Sequence, residues 1–342
     1  MSPPLKGELP AQAALFTVAA GRTMQRPLEV RAPSAGEVVV QVAGSALGAA
    51  PGAEISGVVV AAGEAAGEWL GRRVVVPRIL PCGECDRCRR TRCFSCDQQA
   101  QRGPVATHET VPARYLLSLE PPLWPEGVAL WQMAALADAA AVAYAALVRA
   151  QLGPGDLCAI IGAGVRGRLA ARLARAMGAQ VVMVESDPAL RERISAAGLD
   201  VREVIEGHAM DGVAARARLA AVAQESGAAR LEFRIVETTG TPAGRRRALD
   251  LLGPGDTAAL LSGSDEGEVT VPLGAVVDEE AQIVGVPACH PDLYPELAAR
   301  VVRGELLLEG EVRARPFTDL AEALAGVRTG HIRELPILVP AV

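Results

Sequence analysis

Two clusters in this 342-residue chain carry residue types and spacings that can do chemistry. The first is Cys82, Cys85 and Cys88, each three residues apart, followed by Cys93 and Cys96. Five of the seven cysteines fall in this one stretch. A tetrahedral Zn²⁺ needs four thiolates about 2.3 Å from one centre, and loops with two intervening residues deliver that. Disulfides are the competing use, but a reducing compartment disfavours them. The expectation is a closed, structural Cys₄ zinc site, with no open coordination position for catalysis. Spacing alone leaves Cys93 and Cys96 as rivals for the fourth ligand.

The second cluster is Gly162-Ala163-Gly164-Val165-Arg166-Gly167. It follows the apolar run Leu157–Ile161 and leads into the amphipathic stretch Arg168–Met177. A second apolar run, Val181–Val184, ends at Glu185. The order strand, glycine turn, helix, strand, acid is that of a dinucleotide-binding unit. Gly162 makes the tight turn, Gly164 lets backbone approach a pyrophosphate, and Gly167 lets helix and strand pack closely. Val165 and Arg166 are the adjoining backbone neighbours. The helix N-terminus offers free N–H groups and a positive dipole end. Glu185 is placed to accept hydrogen bonds from a ribose diol, and its charge would repel a 2′-phosphate. That favours NAD(H) over NADP(H). The competing reading is a glycine turn that binds nothing, with Glu185 a solvated strand end.

The elements around these clusters set the fold class. Half the chain is hydrophobic but only 3% is aromatic, so the cores are aliphatic, as buried parallel sheets tend to be. Length predicts about two domains. Net charge is −6 with mixed signs and no basic block, which argues against nucleic acid. Met133–Leu147 is the longest apolar stretch and Asp138 interrupts it, so no membrane span is expected. The N-terminal residues lack the apolar centre of a signal peptide, so the expected location is cytoplasmic.

Residues 1–120 read as β-rich, with strands at Glu37–Val42, Ile55–Val60 and Arg73–Val76 punctuated by glycine and proline. A small, barrel-like β domain is expected. From Trp124 to Ala150 the pattern is helical. After Glu185 come a helix at Ala189–Ala197 and strands at Leu231–Val236, Ala258–Leu261 and Ala281–Val286. Leu252-Gly253-Pro254-Gly255-Asp256 echoes Gly153-Pro154-Gly155-Asp156. This alternation predicts a doubly wound parallel sheet. Glu311–Ala314 and Leu335–Val339 read as strands that either rejoin the first domain or close the edge of the second.

A β domain with a cysteine lobe followed by this nucleotide unit resembles the zinc-type alcohol dehydrogenase branch of the medium-chain dehydrogenase/reductase superfamily. The carriers are the cysteine lobe, the Gly162–Gly167 fingerprint and Leu70-Gly71-Arg72-Arg73-Val74-Val75-Val76-Pro77. The resemblance implies a GroES-like β-barrel catalytic domain at 1–122 carrying the zinc lobe at 82–96. It implies a Rossmann NAD-binding domain at 123–290 and a C-terminal segment at 291–342 that returns to the catalytic domain. It assigns the structural zinc to Cys82, Cys85, Cys88 and Cys96. It places Thr239, Gly240, Val284, Gly285 and Val286 beside the nicotinamide half of the cofactor, and Arg333 near the pyrophosphate. It also implies a homodimer paired through the Ala281–Val286 strand.

The chain departs from that family at the catalytic zinc. The loop after Glu37–Val42, where the family has a Cys ligand, reads Ala43-Gly44-Ser45-Ala46-Leu47-Gly48-Ala49-Ala50. The family Gly-His-Glu is Gly52-Ala53-Glu54 here. Asp138, six residues before Tyr144, is the one matching ligand position. An open zinc site needs three protein ligands, so no catalytic zinc is expected. Without that electrophile, alcohol oxidation is disfavoured, whereas hydride transfer to an enoyl thioester is not. Gly52–Gly57, Glu68–Arg72 and Ala288–Glu296 resemble the 6-hydroxycyclohex-1-ene-1-carbonyl-CoA dehydrogenases. A zinc-less member of that neighbourhood resembles a reductase that converts 3,3-dimethylacryloyl-CoA to isovaleryl-CoA.

The implied activity is therefore NADH-dependent reduction of a short branched enoyl-CoA. A hydroxyacyl-CoA or alcohol dehydrogenase and a non-catalytic NAD-binding scaffold are the alternatives. Asp138, Glu54 and Tyr144 are the proton-donor candidates, with Tyr294 and His290 behind them. Arg245-Arg246-Arg247 is the densest basic cluster for CoA phosphates, or simply the solvated face of a helix.

Overall fold

The computed structural model describes residues 6–48, 52, 54–90, 93–99, 104–119, 127–137, 139–207, 211–261, 267–271 and 273–340, the side chains of residues 93 and 275 excepted. The chain forms two compact units. One comprises Met1–Asp138, His290–Gly304 and Leu308–Val342, and the other Ala139–Cys289 and Glu305–Leu307.

The first unit is built on β-strands: β1 (Lys6–Gly7), β2 (Ala14–Ala19), β3 (Arg22–Pro27), β4 (Glu37–Ala46), β5 (Ile55–Ala62) and β6 (Arg73–Val76). The short helix α1 (Asp86–Arg89) lies in the cysteine lobe, and β7 (His108–Pro112) and β8 (Leu117–Ser118) follow. Val38, Val40 and Val42 alternate along β4 into a core shared with Ile55, Val59, Val74 and Val76. The β2–β3 hairpin is not visible in the sequence pattern. Its turn has Ala20 at φ 49° and Gly21 at φ 73°, the two positive φ values of a tight hairpin turn. Alanine rarely marks that conformation, so the usual Asn-Gly signal is missing.

Of the expected helix from Trp124 to Ala150, residues 124–126 and Asp138 lie outside the described residues. A 3₁₀ segment covers Leu130–Leu136, and α2 covers Ala139–Arg149. Leu130–Arg149 is long and apolar enough to cross a membrane by composition, but 82% of that window is buried inside the protein.

The second unit contains α2, β9 (Leu157–Ile161), α3 (Val165–Ala176), β10 (Gln180–Glu185), α4 (Pro188–Ala196) and β11 (Glu203–Glu206). The chain continues through α5 (Gly212–Ser226), β12 (Arg234–Glu237), α6 (Pro242–Asp250), β13 (Thr257–Leu261), α7 (Leu273–Asp278) and β14 (Gln282–Val286). Its sheet has the order β11-β10-β9-β12-β13-β14, and every pairing is parallel. Strand order reverses between β9 and β12, the switch point where such sheets bind ligands. β9 is buried along its whole length, as a central parallel strand must be. The expected strand at Leu231–Val236 begins only at Arg234. Leu231 is 77% exposed, so hydrophobicity at that position misled the pattern.

The two Gly-Pro-Gly-Asp turns are the same device used twice. Asp156 and Asp256 are fully buried, and each accepts the N–H of its own turn glycine, Gly153 at 2.8 Å and Gly253 at 2.9 Å. Each carboxylate also meets arginine: Arg230 at 3.0 Å for Asp156, and Arg216 for Asp256.

The chain then returns to the first unit through α8 (Tyr294–Val302), β15 (Val312–Pro316), α9 (Leu320–Arg328) and β16 (Leu335–Val339). β16 runs antiparallel to β4, pairing Ile337 with Ala46 and Leu338 with Ser45. The sheet order is β15-β16-β4-β5-β6-β8, with β1 on β5 and β7 on β4. The C-terminal strands thus complete the first unit and do not extend the nucleotide sheet.

Candidate cofactor site and metal centre

The parallel register puts Val184 opposite Ile161 and Glu237 opposite Ile161, so β10 and β12 end level with the glycine turn that leaves β9. Two of the three glycines have a geometric reason within the fold. Gly162 has φ 95°, which L side chains rarely adopt. A Cβ at Gly167 would overlap the Gly162 carbonyl oxygen, whereas one at Gly164 would meet nothing within 4 Å. Gly164 therefore faces open space and caps α3 without any side-chain hydrogen bond. The α4, α5 and α6 helices, by contrast, are capped by the side chains of Asp187, Asp211 and Thr241. The N-terminus of α3 thus has no side-chain cap competing with an external anion such as a pyrophosphate.

Glu185 is 9% exposed. Its Oε2 accepts the Ala163 N–H at 2.6 Å and its Oε1 the Asp187 N–H at 2.8 Å. Each oxygen keeps a further lone-pair direction, the arrangement a ribose diol needs. Residues Gly162, Gly164, Val165, Arg166, Gly167 and Glu185 are thus brought together at one strand end. The fit to NAD(H) rests on the uncapped glycine N-terminus and this fixed carboxylate.

Thr239 and Gly240 lie in the turn after β12. The fully buried Glu237 accepts the Thr239 N–H at 2.7 Å, the Thr239 hydroxyl at 2.5 Å and the Gly240 N–H at 2.9 Å. Burial pushes its pKa up against those hydrogen bonds and the charge of Arg245. Thr238 donates its hydroxyl to the Ile161 carbonyl at 2.8 Å. Val284, Gly285 and Val286 end the edge strand β14. Arg333 lies in the first unit, in the segment before β16, and is partly buried.

In the cysteine lobe the Sγ atoms of Cys82, Cys85, Cys88 and Cys96 all lie within 4.8 Å of one another. Cys82 and Cys88, and Cys85 and Cys96, are 3.9 Å apart. A tetrahedron with Zn–S of about 2.3 Å has sulfur–sulfur edges of about 3.8 Å, so the four thiols fit one Zn²⁺. The Glu84 and Cys85 N–H groups point at Cys82 Sγ from 3.4 and 3.3 Å and hold its pKa down to about 6. Burial pushes the Cys88 thiol up to about 12. Arg114 donates to the Cys82 carbonyl at 3.0 Å and pins the lobe to the segment after β7. Cys96 is the fourth member among the described side chains, and the Cys93 side chain lies outside them.

The stretch expected to have lost its metal ligands is packed differently. Leu47 is 2% exposed, and Glu54 is fully buried. A Cβ at Gly48 would collide with both carboxylate oxygens of Glu54. Glu54 thus occupies the space beside the β4–β5 connection. Tyr144 is 5% exposed within α2, in the other unit. Asp138 lies outside the described residues. Tyr294 donates its hydroxyl to the Ala137 carbonyl at 2.8 Å, which fits a packing role. His290 caps a 3₁₀ turn, accepting the Asp292 N–H at 3.3 Å. Arg245, Arg246 and Arg247 lie on α6, where Arg246 pairs with Asp250 one turn on.

Two residues at the glycine turn escaped the sequence reading. Glu237 was hidden because an acid ending an apolar run resembles a solvated strand end. Arg168 reads as a solvent-facing arginine of an amphipathic helix, yet it is 1% exposed.

Residues 26–121 match the family model of the alcohol dehydrogenase GroES-like domain, and residues 167–303 that of the zinc-binding dehydrogenase domain. The chain is similar to L-galactonate-5-dehydrogenase of Escherichia coli K12. The two are 26% identical over 281 residues, covering 79% of this chain and 77% of that one. Among solved structures it is similar to AibC, at 21% identity and a TM-score of 0.80, covering 97% of this chain and 96% of that one. It is also similar to the short chain alcohol dehydrogenase rspB of Escherichia coli CFT073, solved with NADH. Identity there is 19% and the TM-score 0.80, over 96% of this chain and 99% of that one.

Proposed function

The chain belongs to the zinc-type medium-chain dehydrogenase/reductase superfamily of NAD(H)-dependent oxidoreductases, and from that premise we propose that it reduces the C=C bond of a short branched enoyl-CoA without a catalytic zinc. The best substrate on this reading is 3,3-dimethylacryloyl-CoA, giving isovaleryl-CoA. The observation that carries it is the β4–β5 connection: no Cys or His in Ala43–Ala50, alanine at position 53, and the Glu54 carboxylate lodged against Gly48. Polarising an alcohol oxygen at neutral pH calls for a metal or an equivalent acid. An enoyl thioester already delocalises the negative charge that develops when hydride adds to its β-carbon.

Bound NADH would supply that hydride. The glycine turn would hold the pyrophosphate on backbone N–H groups, and Glu185 would take the ribose hydroxyls and exclude a 2′-phosphate. The turn at Thr239-Gly240, the strand end Val284–Val286 and Arg333 are proposed to hold the nicotinamide half and the phosphates. Protonation of the α-carbon is assigned to one of Asp138, Glu54 or Tyr144; a carboxyl in a dry pocket keeps its proton to higher pH. Cys82, Cys85, Cys88 and Cys96 would hold one Zn²⁺ that shapes the lobe and takes no part in the reaction.

The protein is proposed to be a cytoplasmic homodimer. Edge strand β14 leaves one row of backbone groups without a strand neighbour in its sheet, and Ile283, Leu273 and Val277 are exposed in β14 and α7. A dehydrogenase reading is favoured by the similarity to L-galactonate-5-dehydrogenase and to a sorbitol dehydrogenase. Metal analysis together with turnover separates the two. One zinc per chain with NADH oxidation by 3,3-dimethylacryloyl-CoA supports the reductase. Two zincs per chain with NAD⁺ reduction by sugar acids or hydroxyacyl-CoAs sinks it. Tight NADH binding with no turnover on either panel leaves a scaffold.

A further inference from the structure

We propose that Arg168 is a positioning residue of the cofactor loop, aiming the Gly164 N–H at the dinucleotide pyrophosphate by holding the Ala163 carbonyl from inside the fold. The inference rests on the NAD(H) reading above and adds a residue to it.

Among the described residues, Arg168 is the largest of the fully buried side chains. A guanidinium taken out of water must recover its hydrogen bonds from the protein. Arg168 Nη1 does so on the Ala163 carbonyl at 2.7 Å, a charge-assisted bond. Ala163 is fully buried, and its N–H is taken by Glu185 at 2.6 Å. Both peptide groups that flank the Ala163 Cα are therefore tied down, one by a buried acid and one by a buried base.

The consequence follows from the planarity of the peptide. The carbonyl of Ala163 and the N–H of Gly164 belong to one trans unit and point in opposite directions. With the carbonyl drawn inward by Arg168, the Gly164 N–H faces outward. There is room for a ligand beside this residue, since a Cβ built on Gly164 would meet nothing within 4 Å. Without such a hold, peptide units between glycines rotate easily, because glycine pays little for changes of φ and ψ. Arg168 thus limits the loop to the conformer that donates to phosphate.

The test measures equilibrium binding of NADH, ADP-ribose and adenosine to the wild-type protein, Arg168→Met and Arg168→Lys. Melting temperatures and kcat at saturating NADH are recorded alongside. The proposal expects Arg168→Met to raise the Kd of NADH and of ADP-ribose by about tenfold or more. Adenosine, which has no pyrophosphate, should bind almost unchanged. KM for NADH should rise while kcat holds within about twofold, and Arg168→Lys should recover part of the affinity. Unchanged NADH affinity in a folded Arg168→Met protein overturns the proposal, and so does an equal loss for all three ligands, which marks a purely structural arginine. Should Arg168→Met fail to fold, the ratio of ADP-ribose to adenosine affinity in Arg168→Lys decides by the same criterion. A wild-type protein that binds neither NADH nor ADP-ribose would overturn the NAD(H) reading itself, a result distinct from failure in the variants alone.

Discussion

At the scale of single residues, two acids flank the glycine turn and are used differently. Glu185 spends one direction of each oxygen on backbone N–H groups and leaves the rest for ligand. Replacing it with Ser removes two charged hydrogen-bond acceptors for the ribose. The expected result is a rise in KM for NADH of about 10- to 100-fold and a narrower preference over NADPH, read by steady-state kinetics with both cofactors. Glu237 is buried, and its raised pKa makes ionisation costly in the folded state. The folded protein holds this proton at pH values where the unfolded chain has released it. The stability linked to Glu237 is therefore present at low pH and lost as pH rises through its raised pKa. Glu237→Gln should flatten the fall in melting temperature as pH rises above the ordinary carboxylate range. An unchanged slope would remove Glu237 from the account.

At the scale of elements, the paired Gly-Pro-Gly-Asp turns and the cysteine lobe do work that no single residue does. Asp156 ties its turn to Arg230 and lies 3.8 Å from Arg234, which is itself buried. Asp156→Ala would strand that guanidinium and is expected to cost about 3 kcal/mol or more, seen as a lower denaturant midpoint. NADH affinity of the folded fraction should be unaffected, because the turn precedes β9 at the end remote from the glycine loop. In the lobe, α1 is a single turn that carries Cys88 and follows Cys85, two of the four clustered thiols. Cys96→Ser should lower zinc content well below one per chain and expose the lobe to limited proteolysis. Much of this scale was readable from the chain. The cysteine spacing, the repeated turn and the runs at Leu157–Ile161 and Arg73–Val76 obey local rules. The β2–β3 hairpin was not readable, because alanine occupies a left-handed turn position. The 3₁₀ form of Leu130–Leu136 was not readable either, because an apolar run does not record the pitch of a helix.

At the scale of the whole molecule, zinc stoichiometry and assembly are the quantities to measure. One zinc per chain by metal analysis is expected, with enoyl-CoA reduction insensitive to loss of any further ion. Ile283→Lys on the exposed edge of β14 should shift the protein from dimer to monomer in sedimentation experiments. A wild-type monomer would remove the edge-strand pairing from the proposal.

The sequence by itself determined the parts governed by short-range chemistry. Glycine spacing before a helix, thiols two residues apart and runs of β-branched residues each act within a few residues of one another. Only the tertiary structure decided which distant segments meet. It placed the C-terminal strands beside β4, set the Glu54 carboxylate against Gly48, and turned Arg168 inward onto Ala163. Those outcomes depend on how whole elements fill space against each other, and a one-dimensional pattern carries no record of that.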